Sequence, residues 1–225
     1  MEFKRNNSDR NSDCFIRRLS MCDNFFCKPL IVYKISSKDS LENTKQAIKI
    51  LITKKQICNI FIENDYFNEF LDILNNEQYK EVANKLLKYN KLTSTPDLCI
   101  VIGGDGTVLW SHSLFGINNR PPFLTFNMGT LGYLAYYNCK LMQEIFIQVF
   151  DHPKNELIME KRSTLMFHKI LKDDVVKKET DKKTLLLDSS NVVEGIALND
   201  LVINRESQRA IILDIFLNCT FFTTH

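Results

Sequence analysis

The stretch that most constrains this chain is Asp97-Leu98-Cys99-Ile100-Val101-Ile102-Gly103-Gly104-Asp105-Gly106-Thr107. A run of apolar, partly β-branched residues ends at two glycines, an aspartate and a third glycine. An amphipathic segment from Val108 to Phe115 follows. That order predicts a buried strand, a tight turn and the first turn of a helix. Glycines let the backbone approach a ligand closely, and a helix start offers unpaired N–H groups to an anion. Asp105, the one carboxylate among them, is the first candidate for chemistry.

The flanking sequence predicts what surrounds this turn. Leu30–Lys34 and Ile57–Ile62 read as strands. A helix capped by Ser40 or Asp39 runs to about Lys49, with Leu41, Ala47, Ile48 and Leu51 toward the core. Two weaker helical stretches, Tyr66–Leu74 and Glu77–Tyr89, precede a loop at Leu92–Pro96. Phe123–Phe126 is another buried strand, after a loop at Asn118–Pro122. It ends in a second glycine turn, Asn127-Met128-Gly129-Thr130-Leu131-Gly132-Tyr133-Leu134. Strands alternating with helical lengths imply a mostly parallel sheet, and such sheets bind ligands beyond their carboxyl ends. Asn138 caps a helix carrying Leu141, Met142, Ile145, Phe146 and Val149, and Pro153 ends it. From there the character changes. Leu157–Ile170 is β-prone, 172–183 is a charged loop, and Leu185–Leu187, Ile196–Asn204 and Ala210–Leu217 read as strands with no helix between. The predicted class is therefore α/β: a flexible tail over 1–27, a Rossmann-like parallel-sheet domain over 28–153, and an antiparallel β-rich domain over 154–225, incomplete as it stands.

Composition narrows the function classes. With 44% apolar and 25% charged residues and a net charge of +2 over 225 residues, the chain has an ordinary globular balance. This argues against a broad nucleic-acid or anionic-membrane surface. No apolar run approaches the roughly eighteen residues of a membrane span. Seven cysteines without a CxxC pair predict reduced thiols in an intracellular protein, and the polar N-terminus lacks a secretory pattern, so the expected location is cytoplasmic. Four dispersed histidines give no metal-ligand spacing. Arg17-Arg18-Leu19-Ser20 has the shape of a basophilic phosphorylation site on a solvated tail.

The Gly103–Thr107 turn is neither of the common nucleotide loops. No Gly-Lys-Ser/Thr follows it, and Leu109 stands where the dinucleotide fingerprint needs a third glycine or alanine. A strand-to-helix turn explains the glycines without explaining the carboxylate. An aspartate beside N–H donors suits transfer of a phosphoryl group to an alcohol: the carboxylate takes the proton while N–H groups and a divalent ion hold phosphate oxygens.

Four separated stretches together resemble the NAD kinase family. They are the Gly103–Thr107 turn, Asn127–Leu134 (the family's xxGxLGFL), Glu160-Lys161-Arg162-Ser163-Thr164-Leu165 (its ERxxL) and Ala197-Leu198-Asn199-Asp200-Leu201-Val202-Ile203 (its LN(E/D)xxI). The resemblance runs from about Lys28 to the C-terminus. It implies phosphoryl transfer from ATP, with Mg²⁺, to the 2′-hydroxyl of NAD's adenosine ribose. Asp105 would be the general base, and Gly103, Gly104, Gly106, Thr107 and Asn127 would line the nucleotide. Tyr133 would pack on the dinucleotide, Asn199 and Asp200 would bind ribose hydroxyls, and Arg162 would pair a carboxylate or touch ligand. Implied partners are the small molecules NAD and ATP and, by family habit, other copies of the chain. The family continues past the Ile211–Thr223 region into a Gly-Asp-Gly turn and a Thr-Pro-Thr-Gly-Ser-Thr-Ala-Tyr segment, whereas this sequence ends at His225. The expectation is a truncated chain with an unpaired edge at Ala210–Leu217. Two alternatives stay open: a non-catalytic fragment that binds nucleotide or a full-length subunit, and a lipid kinase sharing the glycine-aspartate turn. Lipid kinases follow that turn with a Gly-Thr-Gly-Asn-Asp type sequence, where this chain has Gly129-Thr130-Leu131-Gly132-Tyr133.

Overall fold

The computed structural model describes residues 16–19, 26–116, 119–129, 132–151, 157–170, 192–203, 214–217 and 220–224. Several sequence expectations fall outside them: the charged loop at 172–183, the strand Leu185–Leu187, Ser20 of the phosphorylation pattern, and Thr130-Leu131 of the second glycine turn.

Six strands form one parallel sheet. In chain order they are β2 (Pro29–Tyr33), β3 (Ile60–Glu63), β4 (Leu86–Tyr89), β5 (Leu98–Ile102), β6 (Phe123–Asn127) and β7 (Tyr137–Asn138), arranged β4-β3-β2-β5-β6-β7. Helix α1 (Lys38–Ile52) links β2 to β3, and α3 (Asp105–Ser113) links β5 to β6. Two short helices, α2 (Leu71–Leu74) and α4 (Met142–Phe146), follow β3 and β7. The chain lays β2, β3 and β4 outward in one direction, then returns to place β5 beside β2. The topological switch point is therefore the β2–β5 boundary, and the Gly103–Thr107 turn leaves β5 at that crevice.

Both faces of the sheet are covered, which is why its strands read as unbroken apolar runs. Alternation sends Ile31, Ile62, Ile100, Ile102 and Phe126 to one face, packed on Ala47, Ile48 and Leu51 of α1 and on Met142, Phe146 and Phe150. It sends Leu30, Val32, Cys99 and Val101 to the other, against Val108 and Phe115 of the α3 segment. Buried polar groups tie the strand ends together. The Ser40 hydroxyl donates to the Ile102 carbonyl at 2.9 Å and accepts from the Lys34 N–H at 3.1 Å. Asp97 accepts from the Cys27 and Lys28 N–H groups at 2.8 and 3.0 Å, fixing the entry of β2 beside β5.

Four expectations are corrected. The cap of α1 is Ser37, whose hydroxyl accepts from the Ser40 N–H, while Ser40 itself is buried under the β5 turn. Glu77–Tyr89 is not a helix. Two 3₁₀ turns lead into β4, which pairs with β3 and buries Leu86, so sheet pairing overrides the helix propensity of Lys85–Lys88. Ile16–Leu19, placed in a tail by composition, forms strand β1 antiparallel to β8 (Leu157–Glu160). Asp214–Leu217 (β11) does not stand alone: it pairs with Thr220–Thr224 (β12) across a bulge. The remaining antiparallel pair joins β9 (Leu165–Ile170) to β10 (Val192–Ala197).

Candidate active site

Helix α3 begins at Asp105 itself, three residues earlier than the amphipathic pattern suggests, with Gly104 in extended backbone as its cap. Thr107 and Val108 donate their N–H groups back to the Gly104 carbonyl at 2.9 and 3.2 Å. The N–H groups of Asp105 and Gly106 therefore sit at the open first turn, which has no intrahelical acceptor for them.

The three glycines serve two purposes. Gly103 donates to the Phe126 carbonyl at 2.8 Å, and a Cβ there would collide with the Thr107 side chain. Gly103 and Thr107 thus pack the turn against itself. A Cβ at Gly104 or Gly106 would meet nothing within 4 Å, so these two keep backbone open toward the crevice.

The second turn comes to meet Asp105. At its start Gly129 adopts φ = 109° and donates to the Asn127 side-chain carbonyl at 3.1 Å, an Asx turn that favours glycine. The Asn127 amide then donates to the Ala135 carbonyl at 3.1 Å, and Thr125 Oγ1 donates to the Leu134 carbonyl at 2.9 Å. Pinned this way, the segment aims three successive N–H groups at Asp105. Tyr133 donates at 2.8 Å to one carboxylate oxygen; Leu134 and Ala135 donate at 2.9 and 3.1 Å to the other. Gly132 allows the approach, since a Cβ there would strike the Asp105 carboxylate.

Desolvation pushes the Asp105 carboxyl up. The N–H groups of Leu134, Tyr133 and Ala135, with the Arg162 guanidinium, outweigh it and hold the group below the ordinary aspartate range. The acid is ionised at neutral pH, and its negative charge is already distributed over fixed donors.

Asp105 opens onto a cleft of about 420 Å³ lined by Leu109, Tyr133, Glu160, Arg162 and Asn199 among others. Tyr133 stands 80% exposed at its mouth. The opposite wall is the 160–163 corner between β8 and β9. There Arg162 Nη2 lies 3.5 Å from the Tyr133 carbonyl and 3.4 Å from the Tyr136 hydroxyl, its Cζ is 5.0 Å from the Tyr133 ring centroid, and it pairs with Glu160 at 3.1 Å. Tyr136 also donates to Glu160 at 2.6 Å.

Of the residues picked out in the sequence, Asp105, Tyr133 and Asn199 share this cleft. Gly104 and Gly106 adjoin Asp105 in the chain, and Gly103 packs against Thr107 within the turn. Asn127 does not face the cleft. It is buried, with its side-chain amide engaged by Gly129 and Ala135, so it shapes the turn. Asp200 is exposed and does not line the cleft beside its neighbour Asn199. Sequence reasoning missed Tyr136 and Glu160. Glu160 opens the Glu-Lys-Arg stretch and could have been paired with Arg162 there, but nothing local marks Tyr136.

Comparison with known proteins gives the family and the fold. The model of the ATP-NAD kinase N-terminal domain matches residues 30–153, more than half of the chain. Among curated relatives, the mitochondrial NADH kinase of Saccharomyces cerevisiae is 28% identical over 204 residues, covering 87% of this chain and 45% of that protein. NAD kinase 1 of Prochlorococcus marinus is 32% identical over 172 residues, 76% of this chain and 48% of that one. The crystal structure of yeast NADH kinase complexed with NADH superposes with a TM-score of 0.69 at 23% identity, covering 93% of this chain and 60% of that one, a likeness of fold. The chain spans less than half the length of the first of these curated relatives and about half of the second. Its fold is α/β, a parallel sheet followed by antiparallel strands, and the chain belongs to the ATP-NAD kinase family.

Proposed function

We propose that the cleft at Asp105 is the phosphoryl-transfer site of an NAD kinase, moving the γ-phosphoryl group of ATP onto the 2′-hydroxyl of NAD's adenosine ribose. The observation that carries this reading is the Asp105 carboxylate, fixed by three backbone N–H groups beside the open N–H groups of the α3 start. A carboxylate offers about four acceptor sites. Three are taken, which leaves one for a hydroxyl proton. The hydroxyl oxygen attacks the γ-phosphorus, the bond to the ADP oxygen breaks, and the hydroxyl proton passes to Asp105.

A carboxylate held this far toward its ionised form is a weak base, and that suits the reaction. Phosphoryl transfer passes through a loose transition state in which the nucleophile is deprotonated late, so orientation matters more than basicity. Gly104 and Gly106 leave room for phosphate oxygens at the helix start. The divalent cation enters as part of the Mg·ATP substrate: Mg²⁺ binds readily through substrate phosphates, and among the described residues no group of three His, Cys, Asp or Glu side chains converges to hold one. Asn199 hydrogen-bonds a ribose hydroxyl, with Asp200 reaching the same sugar from just beyond the cleft wall.

Incubation of the folded chain with Mg·ATP and NAD, NADH or diacylglycerol in parallel tests the assignment. NADP or NADPH is expected and phosphatidate is not. Label passing to the lipid alone, with neither dinucleotide phosphorylated, contradicts it.

A further inference from the structure

Arg162 makes four contacts at the mouth of the cleft: two with Tyr133, one with Tyr136 and one with Glu160. Its guanidinium stands 5.0 Å from the Tyr133 ring centroid and reaches the carbonyl of the same residue at 3.5 Å. Glu160, at 3.1 Å, and the Tyr136 hydroxyl, at 3.4 Å, hold the guanidinium from behind. Glu160 is in turn fixed by the 2.6 Å hydrogen bond from Tyr136. An arginine so held has little rotamer freedom left, and a planar cation is suited to lie over an aromatic ring.

The ring it touches is largely open to solvent. Tyr133 is 80% exposed, although its own N–H is fixed on Asp105. A free aromatic side chain at a cleft mouth samples several rotamers, and ordering it on ligand binding reduces affinity. Contact with a fixed guanidinium on one side removes that cost and leaves the rest of the ring to receive a planar group.

We propose that Arg162 is a positioning residue: it holds the Tyr133 ring as a preformed platform on which a planar ring of the dinucleotide stacks. This rests on the NAD reading of the cleft given above, and adds to it the residue that orders the platform. It follows that Arg162 acts through the Tyr133 ring and not by touching phosphate.

The test is a double-substitution cycle read on NAD. The KM for NAD and the kcat are measured for the full chain and for Arg162→Met, Tyr133→Ala and the double variant, with melting temperature recorded for each. Arg162→Met is expected to raise the KM for NAD about three- to tenfold, leaving the KM for ATP unchanged. In the Tyr133→Ala background the same substitution should add less than about twofold. Arg162→Lys, which keeps the cation without the planar fork, should recover part of the loss. Equal effects of Arg162→Met with and without the Tyr133 ring, or an increase confined to the KM for ATP, overturn the proposal while leaving the NAD reading intact. Failure of the unsubstituted, folded chain to bind NAD, by calorimetric titration, overturns both.

Discussion

The parallel sheet and the strands after residue 157 contribute to one cleft but are built differently. Every residue of β2 and β5 is buried, and aromatic edges such as Phe126–Phe146 and Phe146–Phe150 interlock beneath them. Past residue 157 the strands described come in antiparallel pairs, and Leu165, Met166, Leu201, Val202 and Ile203 lie exposed. The sheet carries Asp105 and the first glycine turn. The later strands supply the opposite wall, Arg162 and Asn199. A reacting carboxylate needs placement within fractions of an ångström, and it stands on the element whose packing can hold it. The opposite wall stands on the less packed part.

Substitutions sharpen this contrast in order of size. Phe126→Ala removes a fully buried ring from the sheet core and should cost about 3–5 kcal/mol in denaturant unfolding. Little loss there would mean that the sheet is not the rigid half. Ser40→Ala removes the hydroxyl shared by the Ile102 carbonyl and the Lys34 N–H at the switch point, which still bond each other at 2.9 Å, at a cost of about 0.5–1.5 kcal/mol. Because that contact lies behind the glycine turn, kcat should fall with it. Met166→Ala on β9, where the side chain is 61% exposed, should stay within about 0.5 kcal/mol. A loss comparable to Phe126→Ala would show that the later strands are covered after all.

The sheet was legible in the sequence because a strand buried on both faces must be mostly apolar, and Leu30–Tyr33, Leu98–Ile102 and Phe123–Phe126, apart from Thr125, are. Strand β4 was not, since Leu86-Leu87-Lys88 is as good a helix as a strand until β3 lies beside it. At the site, Asp105 stood out by type and by its glycines. Its partners could not, because backbone N–H groups from residues 133–135 carry no side-chain signature. That Asn127 braces the turn depends on the Ala135 carbonyl, at 3.1 Å. Arg162 was readable as a residue that pairs a carboxylate or touches ligand, and it pairs with Glu160 at 3.1 Å. That it leans on Tyr133 depends on how the 160–163 corner meets the second glycine turn.

The electrostatics of Asp105 add a pH signature. Its folded-state value lies below the unfolded one, so the carboxylate contributes stability that is complete above the unfolded value and is lost as pH falls through the folded one. The rate should follow the same group. It should be independent of Asp105 titration between about pH 5 and pH 8, with the acid limb below the ordinary aspartate range.

The most direct measurement compares the chain with Asp105→Asn, which keeps one acceptor oxygen for the turn but cannot take a proton. With both proteins folded by circular dichroism and both binding NAD by calorimetric titration, the rate of NADP formation from NAD and Mg·ATP should fall about 10²- to 10⁴-fold in the variant. A variant that forms NADP within a few fold of the unsubstituted rate contradicts the assignment of Asp105 as the base.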